Sequence, residues 1–189
     1  LAQLGKLVSP HSYRILKKDC LDLPDKVFTK RTIELSEEQH KAYSEMKANA
    51  ITMLKGQSST AVNVLTQLIR LHQITCGHMK TDSGEVINLK NSRLDELMQI
   101  LGETTGKVII WANYIYDINS IEEAVKKEFG PGSYCTYYGG TKQEDRQKCI
   151  KKFQDPENPI RFFIGNTQTG GYGITLTEAS TVIYYSNNY

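Results

Sequence analysis

The sequence predicts an α/β fold, a doubly wound parallel sheet preceded by a helical N-terminal part. Three observations carry this. Beyond Gly106, apolar and β-branched runs of strand length (residues 107–112, 134–138, 160–164 and 181–185) alternate with segments of helical spacing. Strands alternating with helices build parallel sheets with crossover helices. Before residue 80 the pattern is helical instead, opened by Ser36-Glu37-Glu38-Gln39, the signature of a capping box. Finally, residues 160–189, IRFFIGNTQTGGYGITLTEASTVIYYSNNY, read as strand, glycine loop, short helix and strand, the helix resting on Ile174, Leu176 and Ala179. The carboxyl end of a strand in such a sheet is where ligands sit.

The elements follow in order. Residues 1–25 carry little pattern. Val27, Thr29, Arg31, Ile33 and Leu35 alternate and predict a strand with one buried face. The capping box opens a helix to about Lys55, broken by Gly56-Gln57-Ser58-Ser59. A second helix runs to about Cys76, with Val62, Leu65, Ile69 and His72 on one stripe. Residues 81–85 form a polar turn, and Ser92 caps a helix carrying Leu94, Leu97, Ile100 and Leu101. A buried strand at 107–112 precedes a helix at 117–129, the turn Gly130-Pro131-Gly132 and a strand at 134–138. Thr141 and Glu144 form a second capping box, opening a helix to about Phe153. The expected division is a linker, short strand and helical insert at 1–88, then an α/β lobe at 89–189. Trp111 continues the apolar run 108–110 and is read as core, Asn113 as surface. Tyr184 and Tyr185 are read as sheet packing rather than as base-stacking groups.

Composition narrows the class. With 189 residues, 39% hydrophobic and 23% charged, the chain is an ordinary globular protein long enough for a real core. A net charge of +2 does not argue for nucleic acid. A basic patch has to be local, and Lys142, Arg146, Lys148, Lys151 and Lys152 on one helix are the best candidate, against the alternative of a solvated face shared with Glu144 and Asp145. No apolar run approaches the ~18 residues of a membrane span, and no signal peptide is expected from these residues. Four cysteines (Cys20, Cys76, Cys135, Cys149) form no C-x-x-C pair. That predicts a reduced, intracellular setting: cytoplasmic or nucleoid-associated, or nuclear in a eukaryote. His72, Cys76 and His78 lie close together, but without a fourth ligand a zinc site is not expected.

The glycine loop has the chemistry of a phosphate contact. Gly170, Gly171 and Gly173 let the main chain approach a ligand, and Thr167 and Thr169 add hydroxyl donors. As text, TQTGGYGITLTEASTVIYY resembles motif V of the Swi/Snf family of DNA-dependent ATPases, relatives of superfamily-two helicases. Gly170, Gly171, Gly173, Ile174, Leu176, Thr177 and Ala179 fit the family frame, and Thr175 stands where the family usually has Asn. KVIIWANY at 107–114 is similar to motif IV, and YGGTKQEDRQKCIKKFQD at 138–155 to the segment after it. LTQLIRLHQITCGH at 65–78 and LPDKVFTKRTIELSEEQHKAY at 23–43 resemble the family's helix and its entry into the second lobe. The pieces stand in family order over about residues 13–189.

The resemblance implies a RecA-like second lobe of a two-lobed motor. It implies a duplex DNA backbone and the first RecA-like lobe as partners, and ATP with Mg2+ as the cofactor pair of the intact protein. Gly170, Gly171 and Gly173 would then face the ATP cleft, while Asn166, Thr167 and Thr169 would contact the DNA backbone. Asn113 at the end of the motif IV strand, and Gly139, Gly140 and Thr141 between a strand and a helix, are further backbone-contact candidates. No G-x-x-x-x-G-K-[ST] phosphate loop, no acidic box and no catalytic constellation occur. The expectation is therefore one lobe, ending before motif VI, without catalytic residues or a metal site, and inactive alone. A strand-separating helicase lobe and a non-hydrolysing DNA- or partner-binding module remain as alternatives. A Rossmann enzyme does not fit, because its glycine loop follows the first strand.

Overall fold

The computed structural model describes the chain except for residues 1, 14, 17–19, 21–24, 56–60, 82 and 188–189. It divides into two compact units, Leu1–Thr32 and Ile33–Tyr189. The first holds helix α1 (Ala2–Val8), a 3-10 turn (Ser9–His11) and irregular chain. The strand expected at 27–35 is not formed. Residues 25–36 join no ladder, and Val27 and Phe28 are 85% and 89% exposed. Alternation specifies a face, but a strand also needs a partner for its amides, and none of the described residues supplies one.

The second unit opens with the expected capping box. The Ser36 amide donates to Gln39 Oε1 and the Gln39 amide to Ser36 Oγ, both at 3.1 Å. Gln39 is itself buried, and its Nε2 donates to the Ile74 carbonyl at 2.8 Å. Helix α2 (Glu37–Lys55) thereby meets the last turn of α3 (Ala61–Cys76). The expected break at 56–59 lies outside the described residues, as does the Val62 side chain. The rest of the expected stripe is not a core face: Leu65 and Ile69 are exposed, and α3 is buried through Ile74 and Cys76 at its end. A short antiparallel hairpin, β1 (His78–Lys80) and β2 (Val86–Asn88), flanks the turn at 81–85. Its three-residue strands are too short to show a period in sequence.

The α/β part follows. The cap expected of the Ser92 side chain on helix α4 (Arg93–Glu103) is not made. Asn91 Oδ1, one residue earlier, accepts from the Arg93 amide at 3.1 Å. Strands β3 (Lys107–Trp111), β4 (Tyr134–Tyr137), β5 (Phe162–Gly165) and β6 (Ala179–Tyr184) form one parallel sheet in the order β4-β5-β3-β6. Helices α5 (Ile115–Phe129), α6 (Gln143–Gln154) and α7 (Thr167–Gly170) connect them. The sheet is covered on both faces. Val108, Ile110, Phe162 and Ile164 pack with Leu97, Leu101, Ile118, Ile121 and Val125 of α4 and α5. Ile109, Trp111, Tyr137 and Phe163 pack with Cys149 and Phe153 of α6. Trp111 is core as expected, with 8% exposed. Tyr185 is buried, but Tyr184 is 59% exposed and packs into neither face.

Two local expectations are corrected. The turn of helix lies at Thr167–Gly170, not over 174–179. Gly173, at φ 74°, breaks the chain after it, and Ile174, Leu176 and Ala179 lean on the second core face from non-helical backbone and the start of β6. The cysteines are also not all reduced: Cys135 on β4 and Cys149 on α6 are disulfide-bonded with Cα atoms 5.7 Å apart. A separation of 14 residues gives no sequence signal of that pairing.

Candidate nucleic-acid and nucleotide interface

Parallel register sets the site. Tyr137, Gly165, Trp111 and Tyr184 end their strands side by side across the sheet. The segments that leave this edge are adjacent in space although distant in sequence. They contain every candidate residue: Asn113 after β3, Gly139, Gly140 and Thr141 after β4, and Asn166, Thr167, Thr169, Gly170, Gly171 and Gly173 after β5.

After β4 the chain turns tightly, with the Thr141 amide on the Tyr138 carbonyl at 3.0 Å. Gly139 and Gly140 are exposed at its tip. Thr141 does not cap α6 as a capping box would. Its Oγ1 accepts from the Tyr138 amide at 3.3 Å and donates to the Thr136 carbonyl at 3.5 Å, and the helix starts at Gln143 with Lys142 as its uncapped N-cap. Arg146 is likewise turned inward. Its Nη2 donates to the carbonyls of Tyr138 and Gly139 at 2.9 and 3.0 Å, and its guanidinium lies over Tyr137. The basic face of α6 thus loses Arg146 to the turn and keeps Lys142, Lys148, Lys151 and Lys152 exposed, with Lys148 3.5 Å from Asp145.

After β5, Asn166 caps α7 through Oδ1, which accepts from the Gln168 amide at 2.8 Å. Thr167 and Thr169 are half-buried. The three glycines differ in kind. Gly170 is buried, and a Cβ there would lie 2.9 Å from the Trp111 ring, so this glycine seats the loop on the core. Gly171 is exposed with an ordinary φ of −72°, but a Cβ would lie 2.4 Å from the Thr167 carbonyl oxygen. Gly173 is exposed and takes the left-handed angle that favours glycine. Tyr172 between them is 89% exposed.

A buried polar network behind this edge escaped sequence reasoning. The Asn113 amide donates to Ser186 Oγ at 2.8 Å, and Ser186 Oγ donates to Asp117 Oδ2 at 3.0 Å. Asp117 Oδ1 is 3.3 Å from His78 Nδ1, both side chains being almost fully buried. That spacing suits an ion pair, but its angle does not make a hydrogen bond. Arg93 Nη1 donates to the Tyr185 carbonyl at 2.7 Å and Nη2 to the Thr75 carbonyl at 2.9 Å. His72 Nδ1 is 2.7 Å from the Tyr114 hydroxyl, and burial, with Arg93 nearby, lowers its pKa. Burial, reinforced by Asp117, pushes the Cys76 thiol up to about 12. The network ties the end of α3, the hairpin, α4 and α5 to the ends of β3 and β6. His72, Cys76 and His78 join this network by contact: Cys76 Sγ lies 3.9 Å from both His72 Nε2 and Arg93 Nη1, and His78 stands against Asp117.

A two-faced parallel sheet with its glycine loop and turns at the carboxyl edge defines a RecA-like α/β lobe of the helicase kind. The model of the helicase conserved C-terminal domain matches residues 89–189, and the chain belongs to that family. Within it, the chain is a C-terminal lobe of the Snf2 type, as its relatives and its fold neighbours agree. It is 31% identical, over 98% of its length, to the putative ATP-dependent helicase/translocase YwqA of Bacillus subtilis (strain 168), and 27% identical, over 99%, to protein CHROMATIN REMODELING 4 of Arabidopsis thaliana. It spans only 21% and 9% of the lengths of those two curated relatives. Among solved structures, the Sulfolobus solfataricus SWI2/SNF2 ATPase core domain superposes with a TM-score of 0.71 at 26% identity, covering 98% of this chain and 40% of that one. The C-terminal domain of the Sulfolobus solfataricus SWI2/SNF2 ATPase gives 0.66 at 23%, covering 82% of this chain and 69% of that one. No helix among the described residues is long and apolar enough to cross a membrane.

Proposed function

We propose that this chain is the second motor lobe of an ATP-dependent DNA translocase, and that its sheet edge contributes DNA-backbone contacts and one wall of the ATP cleft. The convergence of three segments from adjacent strands carries the reading: exposed Gly139 and Gly140 beside Lys142, Asn113, and the loop from Asn166 to Gly173 share one edge. Glycines, threonine hydroxyls and a lysine suit a phosphate backbone and offer no base-specific pattern. Gly171 and Gly173 are the exposed glycines suited to a nucleotide, and Gly170 supports them from below.

ATP and Mg2+ belong to the intact protein. Among the described residues no acidic cluster fits magnesium, so the ion is assigned no role on this chain. Hydrolysis requires a phosphate loop and an acidic box, which the sequence lacks, so residues 1–189 alone hydrolyse no ATP at a meaningful rate. ATP closing two lobes would bring the Gly170–Gly173 loop against the nucleotide while Thr167 and Thr169 stay on DNA, a hinge biased by ligand. The test is ATP hydrolysis by the intact protein with and without duplex DNA of unrelated sequences. Stimulation that is independent of sequence supports the reading. Hydrolysis indifferent to DNA, or turnover by residues 1–189 alone beyond that of a matched inactive control, overturns it.

A further inference from the structure

Asn166 stands on the sequence's short roster of DNA-contacting residues, but its hydrogen bonds leave it nothing to give a phosphate. A carboxamide has two N–H donors and one acceptor oxygen. Here Nδ2 donates to the Asn113 carbonyl at 2.7 Å and to the Ala112 carbonyl at 3.2 Å. Oδ1 accepts from the Gln168 amide at 2.8 Å. The orientation is fixed by these partners, since the flipped amide would set its oxygen against two carbonyls and its NH2 against an N–H. Phosphate oxygens accept only, so the side chain has no donor left for them. The same residue's main chain spans further: its amide donates to the Tyr137 carbonyl at 3.1 Å, and its carbonyl accepts from the Thr169 and Gly170 amides at 3.1 and 2.9 Å.

We propose that Asn166 is a positioning residue: it tethers the segments leaving β3 and β5, and so sets the spacing at which the loops of the interface meet a DNA strand. The inference rests on the DNA reading above and refines it by removing Asn166 from the contact residues. Asn113 is held from both sides, its carbonyl by Asn166 and its amide by Ser186. The Thr167–Gly170 turn is held by the same Asn166 side chain at its start. A helix cap alone requires only the acceptor oxygen. The two carbonyls of the neighbouring strand's exit take a pair of donors, of which an aspartate cap has none and a serine cap only one.

The experiment compares Asn166→Ser and Asn166→Asp in the intact protein. Both variants keep an acceptor for the Gln168 amide and remove the two N–H donors that reach Ala112 and Asn113; aspartate has no donor, and serine has a single O–H on a shorter side chain. Two readouts are taken: the duplex DNA concentration giving half-maximal stimulation of ATP hydrolysis, and amide hydrogen exchange over residues 112–116 and 166–171. The tether predicts that both variants raise the half-saturating DNA concentration by a similar factor, about tenfold, and that exchange quickens in both segments together while residues 108–110 stay protected. Weakening confined to Asn166→Asp would mean that a new negative charge faces phosphate directly, and would overturn the proposal. Unchanged half-saturation in both variants would overturn it too, as would loosening of the 166–171 turn alone, the result expected of a simple cap. If the unaltered protein shows no DNA stimulation, the translocase reading fails instead, and joint loosening of the two segments still tests the tether separately.

Discussion

Replacing Gly171 with alanine adds one methyl group, and the structure says where it goes. The new Cβ would lie 2.4 Å from the Thr167 carbonyl oxygen. Ordinary contact begins near 3.4 Å, so the loop has to give by about 1 Å (3.4 − 2.4). That movement also stretches the bond from the Gly171 amide to the same oxygen, now 2.8 Å, at a cost of about 1 kcal/mol. Gly171 is exposed and belongs to neither core face, so the damage stays local. For a unit of this size, about 1 kcal/mol lowers Tm by only about 2–4 °C. A displacement of about 1 Å in groups that position a reacting nucleotide, by contrast, costs about a hundredfold in rate. The expected outcome for Gly171→Ala in the intact protein is a DNA-stimulated ATPase reduced about a hundredfold, with a nearly unchanged circular dichroism spectrum; Gly171→Val should be at least as severe. Retention of more than half the stimulated rate would refute the reasoning and leave the loop as only a turn. Loss of the folded spectrum would refute the claim that the strain is local.

Thr169→Val keeps the shape of the loop and removes a hydroxyl, so DNA stimulation and translocation should fall more than basal hydrolysis, read from paired ATPase assays with and without DNA. Residues 1–189 should bind duplex DNA weakly and without sequence preference, at roughly 10⁻⁴ M or weaker at physiological salt, with affinity falling as salt rises; titrations at several salt concentrations check this. Stability should fall in acid, because the lowered pKa of His72 means that the unfolded chain takes up its proton first: the contribution is present above about 6.5 and is lost as pH falls through the lower folded value. It should also fall in alkali, because Cys76 is raised from 9.0 to about 12 and the unfolded chain ionises first, so that contribution is present below about 9 and lost on rising toward 12. Melting curves against pH, with His72→Gln flattening the acid limb and Cys76→Ala the alkaline limb, measure both. A thiol reagent at neutral pH should label exposed Cys20 quickly and buried Cys76 only on unfolding, with Cys135 and Cys149 labelled only after reduction.

The sheet was legible because its strands carry their own signal. Val108–Ile110 and Phe162–Ile164 are buried on both faces, and a short apolar run between turn signals is what such strands look like. The edge was legible too, since the strand ends are where glycine and threonine replace the apolar run. Side-chain partners were not. Thr141 and Glu144 have capping-box spacing, yet Thr141 turns back to Tyr138, and Arg146, seemingly one more surface cation, holds that turn. Asn166 looked like a free polar contact because its partners Ala112 and Asn113 are over 50 residues away. The Asp117–Ser186 pair, 69 residues apart, was hidden for the same reason. The alternation at 27–35 misled in the opposite direction, since period identifies a face without supplying a neighbouring strand.

The central claim is that the carboxyl edge of the sheet, and not its opposite edge, meets DNA and nucleotide. Amide hydrogen exchange on the intact protein tests it directly, with and without duplex DNA and a non-hydrolysable ATP analogue. The account predicts added protection at residues 113–114, 138–142 and 166–173, DNA acting on all three segments and nucleotide adding to the last. It predicts none at residues 104–106 and 155–161, which lead into β3 and β5 at the other edge. Protection at those residues, or ligand binding without protection of the 166–173 loop, would contradict it.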